Sequence, residues 1–266
     1  MKKLLFALMV IVLALAAFTA CNNEPERRTL IMGTSAGFPP FEFIADYGQG
    51  VIGQYAGIDV SLVYRIAQEL NLDIIIHDQE FAGLILALQN RQIDFIAAGM
   101  TIRPDRQEVV NFTVPYYNAG QYVVVQQGST FGSIADLEGM IVGVQIGTTG
   151  DMAITDGHND GIITFQDIAR FNQPAHGILD LLSGSLDAFV VDSPVARYML
   201  AAHPNDLRIF ADPNGFFGPE HFGMAFHMDD TELLAEFNEV LIRLIAEGYV
   251  EYLYEHYRVL LEGMED

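Results

Sequence analysis

The stretch IVGVQIGTTG, residues 141–150, reads as a short apolar strand that runs through a glycine turn into the start of a helix. The reading places a strand over 141–146, a turn at Gly147 and a helix over 148–155. It decides the fold because the same alternation has already run once upstream. There a strand over 29–34 precedes a helix over 59–70, with Asp59 as a candidate cap and Val63, Ile66, Ala67 and Leu70 on one face. A strand over 73–77, a helix over 80–89 and a strand over 93–98 complete that block. After a strand over 121–126 the pattern restarts at the quoted stretch. It continues with a strand over 162–165, a helix over 174–182, a strand over 187–191, a helix over 194–202 and a strand over 207–210. A strand over 222–226 follows. Then a helix over 231–246 carries Leu233, Phe237, Val240, Leu241 and Leu244 at helical spacing. Strand–helix alternation predicts largely parallel sheets with covering helices, and two blocks of it predict two α/β lobes. In such sheets ligands sit in the loops beyond the carboxyl ends of the strands.

The N-terminus has a different texture. Lys2 and Lys3 precede an uncharged apolar run over 4–18, which ends in Thr19, Ala20 and Cys21. That is the three-part secretory signal, too short to span a bilayer. A cysteine directly after small residues predicts a lipoprotein signal over 1–20 with Cys21 lipidated, although Phe18 stands where leucine is usual. Residues 21–28 then form a polar tether. Cys21 is the only cysteine, so no internal disulfide staples the fold.

Charge excludes several function classes. The chain carries 13 basic and 35 acidic side chains, a formal net charge of −22. Such acidity opposes nucleic-acid binding, which needs a basic face. Lys2 and Lys3 are the only lysines, so beyond Cys21 there is none for Schiff-base chemistry or a phosphate loop. The histidines lack zinc-ligand spacing, and no cofactor is expected. The run from Asp156 to Asp167 echoes a calcium loop, but His158 stands where an oxygen ligand belongs and Asp167 replaces the long bidentate glutamate.

The informative residues lie after strands: GTSAGFPPFEF at 33–43, AAGMTIRPDR at 97–106, GVQIGTTG at 143–150 and DAFVVDSP at 187–194. With VNFTVPYY at 110–117 and FGMA at 222–225, and in this order, these segments resemble the bacterial extracellular solute-binding proteins of family 3, receptors of polar amino-acid ABC importers. The resemblance covers nearly all of the chain beyond the signal. It implies a type II periplasmic-binding fold, with a first lobe of residues 29–121 and 221–266, a second of 122–220, and two crossover strands between them.

It also implies a ligand with a carboxylate and an ammonium on one carbon. Arg106 would take the carboxylate through its two-pronged fork. Amides around Met100 and Thr101, and those of Thr148 and Thr149 at a helix start, would complete that anion site. Asp192 would take the ammonium, helped by the Gly99 carbonyl and the Thr101 hydroxyl. Phe38 and Phe81 would sandwich the side chain. The position of Ser35 often holds an acid in this family, so serine there leaves ligand identity open. Each residue has a plainer reading: Arg106 as a surface partner of Asp105 or Glu108, Asp192 as a helix cap, Phe38 and Phe81 as core, Thr148 and Thr149 as a helix start.

Three functions compete. The first is a monomeric binding subunit, lipid-anchored outside the cytoplasmic membrane. It would deliver a polar amino acid, basic by overall texture, to permease and ATPase subunits. The second is an arogenate-dehydratase-like enzyme on the same fold, which would need a further cleft acid, Glu42 being nearest. The third is a ligand sensor without transport. The first is the expectation carried forward.

Overall fold

The computed structural model describes residues 27–45 and 53–262. The signal segment, Cys21 and the tether up to residue 26 lie outside the described residues. In chain order the first half contains β1 (Arg28–Thr34), β2 (Phe43–Ile44), β3 (Tyr55–Ala56), α1 (Ile58–Leu70), β4 (Leu72–Asp78), α2 (Leu84–Gln89), β5 (Phe95–Ile96), α3 (Pro104–Gln107), β6 (Asn111–Phe112) and β7 (Tyr117–Ala119). The second half contains β8 (Gln121–Gln126), β9 (Ile141–Gln145), α4 (Thr149–Asn159), β10 (Asp167–Phe171), α5 (Pro174–Ser183), β11 (Ala188–Asp192), α6 (Ser193–Ala202) and β12 (Leu207–Phe210). Then come β13 (Glu220–Phe222), β14 (Ala225–Phe226), α7 (Thr231–Ala246) and α8 (Tyr249–Glu262).

The strands form two five-stranded sheets of matching design, β4-β1-β5-β14-β6 and β10-β9-β11-β8-β12. In each, the first three strands run parallel and the fourth is antiparallel. The antiparallel strand is the one that has just crossed from the other block: β8 enters the second sheet and β14 returns to the first. The fifth strand of each sheet pairs antiparallel with that fourth one, so four strands of each sheet run one way, as largely parallel sheets require, and the crossing strand alone runs against them. The crossing itself is a two-stranded ribbon of β7 and β13, which pairs Tyr117 with Phe222 and Ala119 with Glu220. Phe41 packs edge-on against Tyr117 and Phe222 there, at 5.0 and 5.1 Å between ring centroids.

Helices cover the sheets by apolar faces, as periodicity requires. α1 buries Leu62, Val63, Ile66 and Ala67 and stops at Asn71, which takes the left-handed conformation. α7 buries the five residues expected of it, Leu233, Phe237, Val240, Leu241 and Leu244. Among the described residues no helix is long and apolar enough to cross a membrane.

Several local expectations fail for identifiable reasons. Residues 162–165 are not a strand. Ile163 and Phe165 are buried, but the amides of Ile163, Thr164 and Phe165 go to the Gly157 carbonyl, the Glu138 carboxylate and His158 Nδ1, so no ladder forms. The edge strand is β10 instead. Residues 222–226 break into β13 and β14 because the Gly223 and Met224 amides turn to the Met100 carbonyl and the Thr113 hydroxyl. The helix over 80–89 begins as a 3₁₀ turn at Phe81–Gly83. Asp59 is not a cap: it is fully buried one residue inside α1 and serves the site described below. Residues 156–159 form the last turn of α4, not a loop, and the described residues hold no cluster of three or more metal-ligating side chains.

Candidate functional site

The carboxyl ends of the two sheets face one another across a narrow cleft. It is lined from the first block by Ser35, Phe38, Glu42, Phe81, Ala98, Gly99, Thr101 and Arg106. Gln145, Thr148, Thr149 and Asp192 line it from the second. The two sides touch at the rim, where Asn172 donates to the Glu80 carboxylate and Gln173 lies against Gly37.

Arg106 sits on α3, a single turn started by Pro104. It is 4% exposed. Its Nη1 donates to the Thr101 carbonyl at 2.8 Å and its Nη2 to the Gly147 carbonyl, across the cleft, at 3.1 Å. The guanidinium stands over the Phe81 ring at 5.4 Å from its centroid. Its neighbours Asp105 and Arg103 pair with each other, at 2.7 Å, so the surface-partner reading of Arg106 fails. Burial, with the nearby Arg103 charge, lowers its pKa to about 10, which still leaves it cationic at neutral pH.

Asp192 ends β11, opposite Gln121 of β8. It stands at the cap position of α6, yet its side chain makes no capping bond. Its Oδ1 is buried without a partner. Burial and the nearby negative charge of Glu220 push its pKa well up. Thr148 does cap α4: its hydroxyl accepts the Asp151 amide at 3.2 Å and donates to the Gln145 carbonyl at 2.7 Å. The first-turn amides of that helix have no intrahelical acceptor, and the buried Thr149 hydroxyl has no partner.

Behind the cleft, Gly99 adopts φ +51°, a left-handed conformation open to glycine. A Cβ there would also meet the Phe38 ring at 2.9 Å. Its amide donates to Asp59 Oδ2 at 2.8 Å, and the Tyr116 hydroxyl donates to the same carboxylate. Asp59 thus fixes the turn that presents the Gly99 carbonyl. Burial raises its pKa to about 7 against the opposing pull of those two donors.

The Met100 side chain does not line the cleft. The extended chain turns its side chain to the opposite face from Thr101, into the core with Leu84, Leu88 and Ile96. Glu42 does reach it, although the resemblance assigns it no ligand contact. It is fully buried, both carboxylate oxygens lack partners, and burial followed by the charges of Asp59, Asp192 and Asp78 drives its pKa well up. Its only sequence signal was an acid inside an otherwise apolar loop, FPPFEF. Ser35 lies in the same cleft with its hydroxyl buried and unpartnered. The cleft therefore sets one guanidinium, Arg106, against the acids Glu42 and Asp192, with Asp59 and Glu220 buried behind them.

Two mixed sheets, joined by two crossover strands and closing polar groups between them, define a two-lobe solute-binding protein. Residues 30–259 match the bacterial extracellular solute-binding proteins, family 3, and the chain belongs to that family. It is 34% identical over 266 residues to an L-arginine-binding protein of Pseudomonas aeruginosa, covering 97% of this chain and 96% of that one. It is 30% identical over 258 residues to the arginine-binding extracellular protein ArtP of Bacillus subtilis, covering 95% and 96%. An ancestral arginine-binding protein solved with arginine superposes with a TM-score of 0.78 at 33% identity, over 87% of this chain and 98% of that one. The family is one of binding proteins rather than enzymes.

Proposed function

We propose that this chain captures a basic L-amino acid, arginine foremost, and delivers it to the permease and ATPase subunits of an ABC importer. The observation that carries the side-chain assignment is Glu42, a fully buried acid lining the cleft with both oxygens unpartnered. A buried carboxylate without a partner is costly, and a guanidinium offers two parallel donors to relieve it. Arginine carries one anionic and two cationic groups. Arg106 takes the carboxylate, Asp192 with the Gly99 carbonyl takes the ammonium, and Glu42 takes the guanidinium between Phe38 and Phe81. Glu42 thereby supplies the acid that Ser35 lacks. The two arginine-binding relatives support the same ligand class.

On this reading the first lobe is residues 29–121 and 221–266 and the second is 122–220, and the β7–β13 ribbon is the hinge. Ligand closes the lobes because only the closed cleft makes both sets of contacts. Cys21 carries the lipid that holds a monomeric receptor outside the cytoplasmic membrane. Two acyl chains suffice for stable anchoring. Cys21→Ser is expected to release the protein or leave its signal uncleaved. A variant processed and membrane-bound like the parent would remove the anchor from the proposal.

A calorimetric competition panel of arginine, lysine, histidine, glutamine, cystine and glutamate tests the ligand. Arginine is expected to bind tightest. Tightest binding by glutamate, or no binding by any of them, overturns the assignment.

A further inference from the structure

One buried acid in the hinge has no part in these ligand contacts. Glu220, in β13, is 3% exposed, and both of its oxygens are bonded. Oε2 accepts from the Thr101 hydroxyl at 3.1 Å, and Oε1 accepts from Gln121 Nε2, at the start of β8, at 3.0 Å. Backbone pairing brings these groups together. Thr101 bridges Phe222, the Ile102 amide donates to the His221 carbonyl at 2.8 Å, and the Gly223 amide donates to the Met100 carbonyl at 3.0 Å. The Thr101 carbonyl is held separately, by Arg106 Nη1. Thr101 itself lines the cleft with Gly99 and Asp192. A threonine hydroxyl has one proton and two lone pairs. With the proton committed to Glu220, the oxygen has only lone pairs left for the cleft.

We propose that Glu220 is a positioning residue: by taking the Thr101 proton it makes that hydroxyl an acceptor for the ligand's α-ammonium, beside Asp192 and the Gly99 carbonyl. This rests on the amino-acid reading above. An ammonium presents three N–H donors, and three acceptors satisfy it. Without Glu220 the hydroxyl is free to turn its proton towards the cleft, where it would oppose an ammonium. Gln121 holds the second carboxylate oxygen, so the acceptor that directs Thr101 is itself fixed from outside the cleft. Glu220→Gln keeps an acceptor. The new amide oxygen can take the Thr101 proton, and its N–H groups meet Gln121, whose buried Oε1 has no partner and accepts once that amide turns. Glu220→Leu offers no acceptor at all.

The test is isothermal titration with L-arginine, at neutral pH, of the parent, Glu220→Leu, Glu220→Gln, Thr101→Val and the double variant Thr101→Val, Glu220→Leu. Glu220→Leu and Thr101→Val are each expected to raise Kd about tenfold or more, the scale of one hydrogen bond to a charged group. Glu220→Gln is expected to stay within about threefold of the parent. The double variant is expected to bind as Thr101→Val does, because without the hydroxyl Glu220 has nothing to direct. If Glu220 only braces the hinge, its loss adds in full to that of Thr101→Val. That additive result overturns the proposal, as do equal losses in Glu220→Gln and Glu220→Leu. Parent-like binding by Thr101→Val overturns it too, and this arm holds even where Glu220→Leu does not fold. Each of these leaves arginine binding by the parent standing. A parent that binds no amino acid overturns the underlying reading and the positioning role with it.

Discussion

The two ends of the cleft are built on different principles. At the Arg106 end, the cation is already held by two carbonyls and an aromatic face, so its position is fixed before it meets a ligand. At the Glu42 end, the acid is buried with neither oxygen bonded, so its partner comes from outside the chain's own side chains. The first end is preorganised for a group every amino acid shares. The second is organised by an unmet demand, and that is where one amino acid is told from another.

Breaking the shared end should cost most. Arg106→Ala strips the ligand carboxylate of its partner in a desolvated site and is expected to weaken every amino acid by roughly 2–5 kcal/mol, as is Asp192→Asn for the ammonium. Isothermal titration with two different ligands checks this. A loss below about 0.7 kcal/mol would mean the residue is not a ligand contact. The discriminating end should respond selectively. Glu42→Gln is expected to cost arginine about 1.5–3 kcal/mol, the scale of a hydrogen bond to a charged group. Glutamine should change less, and equal losses for both would erase the distinction between the two ends.

The support behind the shared end makes a pH-dependent prediction. The Asp59 carboxyl titrates near 7 when folded and near 3.9 when unfolded, so between those values the folded protein binds more protons. Its contribution to stability is therefore greatest below pH 4 and is lost as pH rises towards 7, at up to about 1.4 kcal/mol per pH unit. Thermal melts of the ligand-free protein are expected to show a shallower decline across that window in Asp59→Asn. Glu42 and Asp192 titrate in the same direction and leave part of the slope in place. An unchanged slope would detach Asp59 from the site. The smallest effect belongs to Phe81, which faces Arg106 and lies between the two ends. Phe81→Leu keeps the apolar bulk and removes the ring, and about 1 kcal/mol of arginine affinity should go with it. A neutral result in the same titration would leave Phe81 as packing only.

Much of this was legible in the chain. Residues whose role follows from local order, such as Arg106 two after a helix-starting proline or Thr148 after a turn glycine, could be placed by reading outward from strand ends. α7 could be read because its five buried residues repeat at helical spacing. α8 escaped, since among its described side chains only Val250, Leu253 and Tyr257 bury deeply on a helix otherwise crowded with acids and tyrosines. The segment 162–165 misled because buried side chains in a coil can alternate as they do in a strand, and only the destination of the amides tells the two apart.

The sequence by itself determined the class of chain: two blocks of strand–helix alternation, loops at strand ends bearing the polar residues, and an ordered set of segments that resembles one family. Periodicity and turn chemistry are local, and they survive in one dimension. What only the tertiary structure decided was which acids meet. Glu42, Asp59, Asp192 and Glu220 are scattered from the first loop to the hinge, and nothing in their spacing brings them together. They converge because β8 and β14 each cross to the opposite sheet and draw the ends of both sheets to one cleft. Burial there changes what each carboxyl can do, and burial is a property of the folded pair of lobes rather than of any segment.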